Sequence, residues 1–203
     1  MGNRKQKLIV SPNGLPPVIE WSTVTTYTEV WNDDGSGADL DGSFFRPSVP
    51  DGWFYFGDYG QGNYKTPSGS VFVVKVTNDN PDFPALAPPA GWAQVWNDTG
   101  SGADEDGSFW APLPKQGYVA VGHAVMKGHN QPDSSTPDID KFRTLRADLA
   151  KQVTLATQIW SDQGSSADED VAVWSITQLG SIYAVTVYDT APTGVWIPSV
   201  LPS

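Results

Sequence analysis

Nine aspartates, in three copies of one arrangement, are the residues of this chain whose types and spacing best suit chemistry. In each copy an Asp follows a Trp by two positions, and two more Asp residues follow six and eight positions later in a Gly-rich segment. Calcium takes roughly six to eight oxygen ligands, mainly carboxylates and backbone carbonyls, and such a loop offers both. The sequence therefore predicts calcium-assisted binding through these candidate ligands: Asp33, Asp39, Asp41, Asp98, Asp104, Asp106, Asp162, Asp168 and Asp170.

The same aspartates have a second interpretation, as residues that shape turns. Asp side chains in tight loops accept hydrogen bonds from nearby backbone N–H groups, and Asp and Gly both suit turn conformations. Duplication copies structural and functional residues alike, so the repetition leaves both interpretations open. The third copy departs from the others at Ser161, Ser166, Val171 and Ala172. A metal site should weaken there, whereas a turn can persist.

The acidic segments are repeats that extend through the chain. They read WNDDGSGADLDGSFF from Trp31, WNDTGSGADEDGSFW from Trp96 and WSDQGSSADEDVAVW from Trp160. The first two agree at 12 of 15 positions and the last two at 9 of 15. Three strand-rich units that cannot bury an apolar face alone must share one core. This predicts one all-β domain of three small antiparallel sheets around a pseudo-threefold axis, with the three Trp at its centre or corners.

The coarse organisation follows from the same repeat. We expect an N-terminal tail over residues 1–14 and a single domain over 15–203, with repeats near 15–86, 87–150 and 151–203. Alternating β-branched and aromatic residues predict strands before each loop, and again at one constant distance after each Trp. The predicted strands are Thr23–Trp31, Gly91–Trp96, Val153–Trp160, Trp53–Phe56, Tyr118–Val121 and Ile182–Val185.

One later segment is ambiguous between strand and helix. Residues Phe142–Leu149 have apolar positions at helical spacing, but they correspond to the strand Val71–Val76 of the first repeat. We therefore expect a strand there.

Composition excludes some classes of function. The formal charge of −11 gives no basic footprint, so nucleic-acid binding is not expected. There is no Cys, which rules out disulfides and thiolate metal sites. No apolar run is long enough for a transmembrane helix or a standard signal peptide. We expect a soluble protein, either cytoplasmic or released without a standard signal.

Aromatic residues provide a second resource for binding. Tyr59 and Tyr64 lie in the Gly-rich segment Gly57–Gly69, where tyrosines can stack on sugars or sit at a lipid interface. We take both as candidate ligand-binding residues. Catalytic alternatives are weaker, since no G-x-S-x-G nucleophile motif is present and three equivalent loops are a poor way to build one asymmetric carboxylate cleft.

The repeated motif resembles a known group of proteins. WNDTGSGADEDGSFWAPLPKQGYVAVG, from Trp96 to Gly122, is matched by Trp31–Gly57 and more weakly by Trp160–Val185. The pattern resembles the vacuolar-protein-sorting-associated family of fungi and plants. It is also similar to multivesicular-body-associated β-prism domains and to the β-tripod domain of insecticidal perforin-like toxins. The resemblance covers roughly residues 15 to 203.

That resemblance implies a β-prism, or β-tripod, fold and an attachment function. We expect a non-catalytic module that recognises a membrane lipid or a cell-surface glycan or receptor, in a toxin-related or sorting-related setting. The repeats occupy the length of this chain, so recognition is expected rather than lysis. The alternatives are a carbohydrate-active enzyme that uses the loop carboxylates and a structural or assembly protein.

Overall fold

The structure is a computed structural model that describes residues 10–201. Residues 1–9 of the predicted N-terminal tail, together with 202 and 203, lie outside the described residues. The first repeat contains the strands β1 (Val18–Val24), β2 (Tyr27–Asn32), β3 (Ser43–Pro47), β4 (Tyr59–Gln61) and β5 (Val71–Thr77).

The other two repeats continue the same order of elements. The second contains β6 (Leu86–Ala87), β7 (Gly91–Asn97), β8 (Gly107–Leu113), β9 (Tyr118–Val119), β10 (Ala124–Lys127) and β11 (Thr144–Arg146). The third contains β12 (Ala150–Val153), β13 (Thr157–Ser161), β14 (Ala172–Ile176), β15 (Ser181–Val185) and β16 (Val195–Pro198).

Each repeat forms two antiparallel sheets. The first is three-stranded in every repeat: β2-β3-β4, β7-β8-β10 and β13-β14-β15. The second pairs the first and last strands of the repeat, β1 with β5, β6 with β11, and β12 with β16, and in the second repeat β9 adds a third strand beside β11. The predicted all-β, pseudo-threefold β-prism built from three repeats is therefore confirmed.

Several strand boundaries differ from the prediction. The predicted strand Thr23–Trp31 breaks after Val24, because β1 pairs with β5 while β2 joins a different sheet. The predicted strand Val153–Trp160 breaks in the same way between β12 and β13. Residues Phe142–Leu149 form only the short β11 followed by one 3-10 turn over Ala147–Leu149.

The predicted equivalence of the second strands is wrong because the third repeat is shorter. Phe44 pairs with Gly60 and Phe109 with Val125, at equal separations along the chain, whereas Val173 already pairs with Ala184, over a shorter connection. Strand β15 therefore corresponds to β4 and β10. Trp53–Phe56 makes only isolated bridges, at Phe54 and Tyr55, and Tyr118–Val121 is a strand only over β9.

Three tryptophans meet on the pseudo-threefold axis. A β-bulge directly precedes each of them, in β2, β7 and β13, and a bulge re-aims the side chain that follows it. Trp31, Trp96 and Trp160 are at most 1% exposed, and their ring centroids lie 5.7–5.8 Å apart in all three pairs. Of the two places predicted for these residues, the centre or the corners, they occupy the centre.

A second ring of contacts encircles the axis deeper in the molecule. The backbone N–H of Asp58 donates to the carbonyl of His123, His123 donates to Ile182, and Ile182 donates back to Asp58, each at 3.0 Å. The backbones of the repeats come this close because Gly57 and Gly122 lie beside the ring. A Cβ on Gly122 would be 2.8 Å from the Phe56 carbonyl oxygen. Only glycine fits such a backbone approach.

The side chains at this ring also connect neighbouring repeats. The Asp58 carboxylate accepts the Val125 N–H at 2.8 Å and pairs with Arg46 at 2.9 Å, both groups being buried. In the next repeat the imidazole Nδ1 of His123 accepts the Ala184 N–H at 3.0 Å. The side chains of Asp58 and His123 thus each accept a backbone N–H group of the next repeat. Burial lowers the pKa of His123 to about 3.

None of the helical turns within residues 10–201 has the length or the apolar character needed to cross a bilayer.

Replacing Gly107 by alanine tests the packing at the axis. A Cβ there would lie 2.4 Å from the buried Trp31 ring, whereas one at Gly91 would meet only Leu113, at 3.6 Å. We expect Gly107→Ala to lower the free energy of unfolding by about 1–3 kcal/mol, the usual cost of overpacking. Gly91→Ala is the matched control and should change it by less than about 0.5 kcal/mol. Chemical denaturation of both variants measures this, and equal stability would contradict the packing argument.

His123 should make the stability depend on pH. Its imidazole is neutral when folded, with a pKa of about 3, but gains a proton in the unfolded chain below about pH 6.5. Stability is therefore complete above about pH 6.5 and is lost as the pH falls toward about 3, by about 1.4 kcal/mol per pH unit. Denaturant unfolding at pH 7.5 and 5.5 should show this loss. His123→Gln keeps an acceptor for Ala184 and should reduce the loss; an identical pH dependence would contradict the assignment.

Candidate functional site

The three acidic loops lie together at one end of the axis and are joined in a ring. Each loop donates a backbone N–H to a carbonyl of another repeat's loop, at 2.7–2.9 Å. The three bonds run from Asp39 to Gln163, from Asp104 to Asp34 and from Asp168 to Thr99. The three loops are thus clustered at one end of the axis and linked by backbone hydrogen bonds.

The tryptophans of the axis connect to the same loops. The indole N–H groups of Trp31 and Trp96 donate to the carbonyls of Glu105 and Glu169, each at 2.7 Å. The third indole, of Trp160, donates at 2.8 Å to the carboxylate of Asp33. Each Trp therefore bonds the loop of the next repeat around the axis.

The first aspartate of each loop is buried and structural. Asp33, Asp98 and Asp162 are 2–4% exposed. Each accepts the backbone N–H nine residues further on, at 2.7–3.1 Å, from Gly42, Gly107 or Val171. Such side-chain-to-backbone bonds close a turn, so these contacts support the turn interpretation for all three residues. Burial raises the pKa of Asp162, against the lowering effect of its hydrogen bonds.

In each repeat the side chain of a tyrosine or histidine contacts the buried carboxylate. The Tyr64 hydroxyl donates to Asp33 Oδ1 at 2.7 Å and the Tyr188 hydroxyl to Asp162 Oδ1 at 2.6 Å. At the corresponding place in the second repeat, His129 Nε2 lies 2.6 Å from Asp98 Oδ1. Burial, together with the carboxylate that accepts each phenol, raises the pKa of both tyrosines.

The other six aspartates are exposed, and three of them sit at the contacts between loops. Their carboxylate oxygens lie against glycines of another repeat's loop, 2.6–2.9 Å from where a Cβ would be. The contacts are Asp39 with Gly164, Asp104 with Gly35 and Asp168 with Gly100. The glycines have φ between +80° and +91°, a conformation suited to glycine.

The structure does not gather the three aspartates of any loop into one cluster of ligand atoms. Within residues 10–201, the group of three side chains close enough to share a metal ion is Asp98, Asp106 and His129. Their ligand atoms all lie within 4.8 Å of one another. The sequence predicted both aspartates as metal ligands but did not connect His129 with them.

The two tyrosines singled out in the sequence have different positions. Tyr59 is half-buried in β4, where its ring stacks on Tyr27 at 5.0 Å and its hydroxyl accepts the Gly69 N–H. Tyr64 is 47% exposed. It lines a cleft of about 320 Å³ in the first repeat, together with Tyr27, Glu29, Phe45, Lys65, Thr66 and Pro67.

A second cleft, of about 340 Å³, lies between the first and second repeats and shares Glu29 with the first cleft. Its lining includes Thr28, Met126, Thr136 and the buried Arg46.

Sequence reasoning considered His129 only as a possible partner of His123 in a two-histidine metal site, and it missed Tyr188, although one signal was available. Tyr64 and His129 each stand at the same distance after the Trp of their own repeat, so their equivalence can be read from the spacing. Tyr188 stands closer to Trp160 because the third repeat is shorter, and this hides its correspondence.

Comparisons with known proteins agree with this architecture. The family model described as vacuolar protein sorting-associated protein 62 matches residues 17–185. The crystal structure of GNIP1Aa from Chromobacterium piscinae is similar, with a TM-score of 0.72 and 30% sequence identity. The match covers 86% of this chain and 34% of that protein, so the chain spans about a third of its length. No curated protein sequence matches.

Neutralising a buried aspartate should cost more than neutralising an exposed one. Asp33 accepts bonds from Gly42, Tyr64 and Trp160. In Asp33→Asn the amide NH2 would face one of these donors, so we expect a loss of about 1–3 kcal/mol in the free energy of unfolding. The neighbouring, exposed Asp34→Asn should change it by less than about 0.5 kcal/mol. Urea denaturation compares the two, and equal effects would refute the structural role of Asp33.

Proposed function

We propose that this chain, which belongs to the vacuolar protein sorting-associated protein 62 family, is a non-catalytic module that recognises a cell-surface glycan. The binding surface in this proposal is the 320 Å³ cleft of the first repeat. Its volume falls in the usual range of small-ligand sites, about 300–1,000 Å³.

The composition of the cleft carries this proposal. Tyr27, Phe45 and Tyr64 supply aromatic surface, and Glu29, Lys65 and Thr66 supply polar groups at its rim. Aromatic faces pack on the apolar faces of sugar rings, while a few placed polar groups fix the orientation of a ligand. This combination suits a sugar better than a purely apolar or purely charged ligand.

Hydrogen bonds hold the cleft in shape before any ligand arrives. Tyr64 is fixed by Asp33, and the Asn32 amide donates to the Glu29 carboxylate at 2.6 Å. The ring of Tyr27 packs on Tyr59, and its hydroxyl donates to backbone carbonyls. Side chains ordered in advance lose less entropy on binding, which supports recognition by this face.

The charge of the molecule favours a glycan over an anionic membrane. A chain with a formal charge of −11 is repelled by the negative surface of acidic lipids, whereas a neutral sugar carries no such penalty. The exposed loop carboxylates are retained as the proposed sites of calcium assistance, since Asp33 and Asp162 are occupied by their own hydrogen bonds.

The same cleft argues against the enzyme alternative. Glycoside hydrolysis generally needs two carboxyl groups across the scissile bond, and the residues lining the cleft include one, Glu29. The family description refers to protein sorting, and attachment to a surface fits that setting as well as the toxin-related one. Because the chain spans about a third of GNIP1Aa, no activity of that whole protein is assigned to this chain.

A glycan array probed with the labelled full chain, with and without calcium, tests the proposal. We expect binding to a defined group of glycans and a loss of affinity on the order of tenfold in Tyr64→Ala, the size typical of an aromatic contact residue. Tyr64→Phe keeps the ring and should retain most of the affinity.

Tyr188→Phe is the matched control. It removes the equivalent hydroxyl in the third repeat, away from the cleft, and should leave glycan binding unchanged. Absence of binding to any glycan, or undiminished binding by Tyr64→Ala, would overturn the proposal. Binding to lipid vesicles instead would favour the membrane alternative.

A further inference from the structure

We propose that the second repeat contains a binding site for a divalent transition-metal ion of the zinc class, formed by Asp98, Asp106 and His129. This site is separate from the cleft of the first repeat and does not depend on the glycan proposal. It also differs from the calcium sites expected from the sequence, because an imidazole nitrogen replaces one carboxylate.

The ligand atoms are already close together. His129 Nε2 lies 2.6 Å from Asp98 Oδ1, and the donor atoms of all three residues lie within 4.8 Å of one another. Donor atoms about 2.1 Å from a shared zinc ion stand roughly 3.4 Å apart in tetrahedral geometry. Binding therefore requires His129 and Asp98 to separate by less than about 1 Å, which the partly exposed His129 side chain can accommodate.

The backbone around the site is fixed in advance. The Gly128 N–H donates to the Asp106 carbonyl at 2.6 Å, and the Ser108 hydroxyl donates to the Gly128 carbonyl at 2.6 Å. These bonds hold the segment that carries His129 against the segment that carries Asp106. Asp98 is oriented by the Gly107 N–H, as outer hydrogen bonds orient metal ligands elsewhere.

A comparison between the repeats shows what distinguishes the second one. In the first repeat Asp33 Oδ2 is engaged by the Trp160 indole and the Ser36 hydroxyl. By contrast, both hydrogen bonds that the Asp98 carboxylate makes within residues 10–201 go to Oδ1. In the third repeat Asp162 likewise accepts the Val171 N–H and the Tyr188 hydroxyl at Oδ1. The second repeat therefore differs from the other two in having the imidazole of His129 where they have a tyrosine.

The donor set determines the class of ion. One imidazole nitrogen and two carboxylate oxygens suit zinc and related first-row ions, whereas calcium prefers oxygen alone. The bound His129 is neutral, with Nε2 on the metal and its proton on Nδ1. Asp106 and His129 are exposed, so water can complete the coordination.

Isothermal titration of zinc chloride into the untagged full chain at pH 7.5 tests the site. We expect one equivalent of zinc to bind, and binding to fall at least tenfold in His129→Tyr. That variant installs the residue found in the other two repeats and should preserve the hydrogen bond to Asp98, so its melting temperature without zinc should stay close to the original. Asp106→Asn, at an exposed position, should also lose at least tenfold.

Two further variants distinguish this site from zinc binding elsewhere on the chain. Tyr64→Phe removes the equivalent group in the first repeat, and His123→Gln removes the other histidine; both should bind zinc unchanged. Failure of the original chain to bind zinc would overturn the proposal. Zinc binding by His129→Tyr and Asp106→Asn as tight as that of the original chain would also overturn it, because it would indicate nonspecific binding to exposed carboxylates. A preference of this site for calcium over zinc would overturn it as well.

Discussion

Three tryptophans on the pseudo-threefold axis, each bonded to the loop of the next repeat, are the contact on which the rest of the structure depends. Their indole N–H groups are buried, and a buried donor without an acceptor costs about 1–3 kcal/mol. Trp31, Trp96 and Trp160 therefore each require a neighbouring loop in its native conformation. Each loop in turn requires its own buried aspartate to close the turn. No repeat can satisfy these requirements alone, so the three must fold as one unit.

This closed ring also limits what the loops can do. Asp33, Asp98 and Asp162 hold the turns, and three more carboxylates lie where neighbouring loops touch. The acidic repetition is thus largely a repetition of architecture. Specific chemistry arises where the repeats differ, since one position is Tyr64, His129 or Tyr188 depending on the copy. The proposed glycan cleft and the proposed metal site both use such a difference.

Much of the fold could be predicted because it depends on local patterns. The tripled motif identified the number of units, and alternating residues identified strands in all three repeats. The boundaries of the strands could not be predicted as well. Strands β1 and β2 look continuous in sequence, and only their separate pairing partners divide them. The shortened connection before β15 could not be located without the pairing register, and it also concealed Tyr188.

The sequence by itself determined that three equivalent units share one core and that each carries the same Asp-rich turn. Tertiary structure alone decided which aspartates are buried and which residues of different repeats meet. Trp160 and Asp33, for example, are 127 residues apart in the chain. A repeat shows which residues are equivalent, but not which copy each one contacts. That order is set by the packing of three sheets around one axis, where burial and hydrogen bonding must be satisfied together.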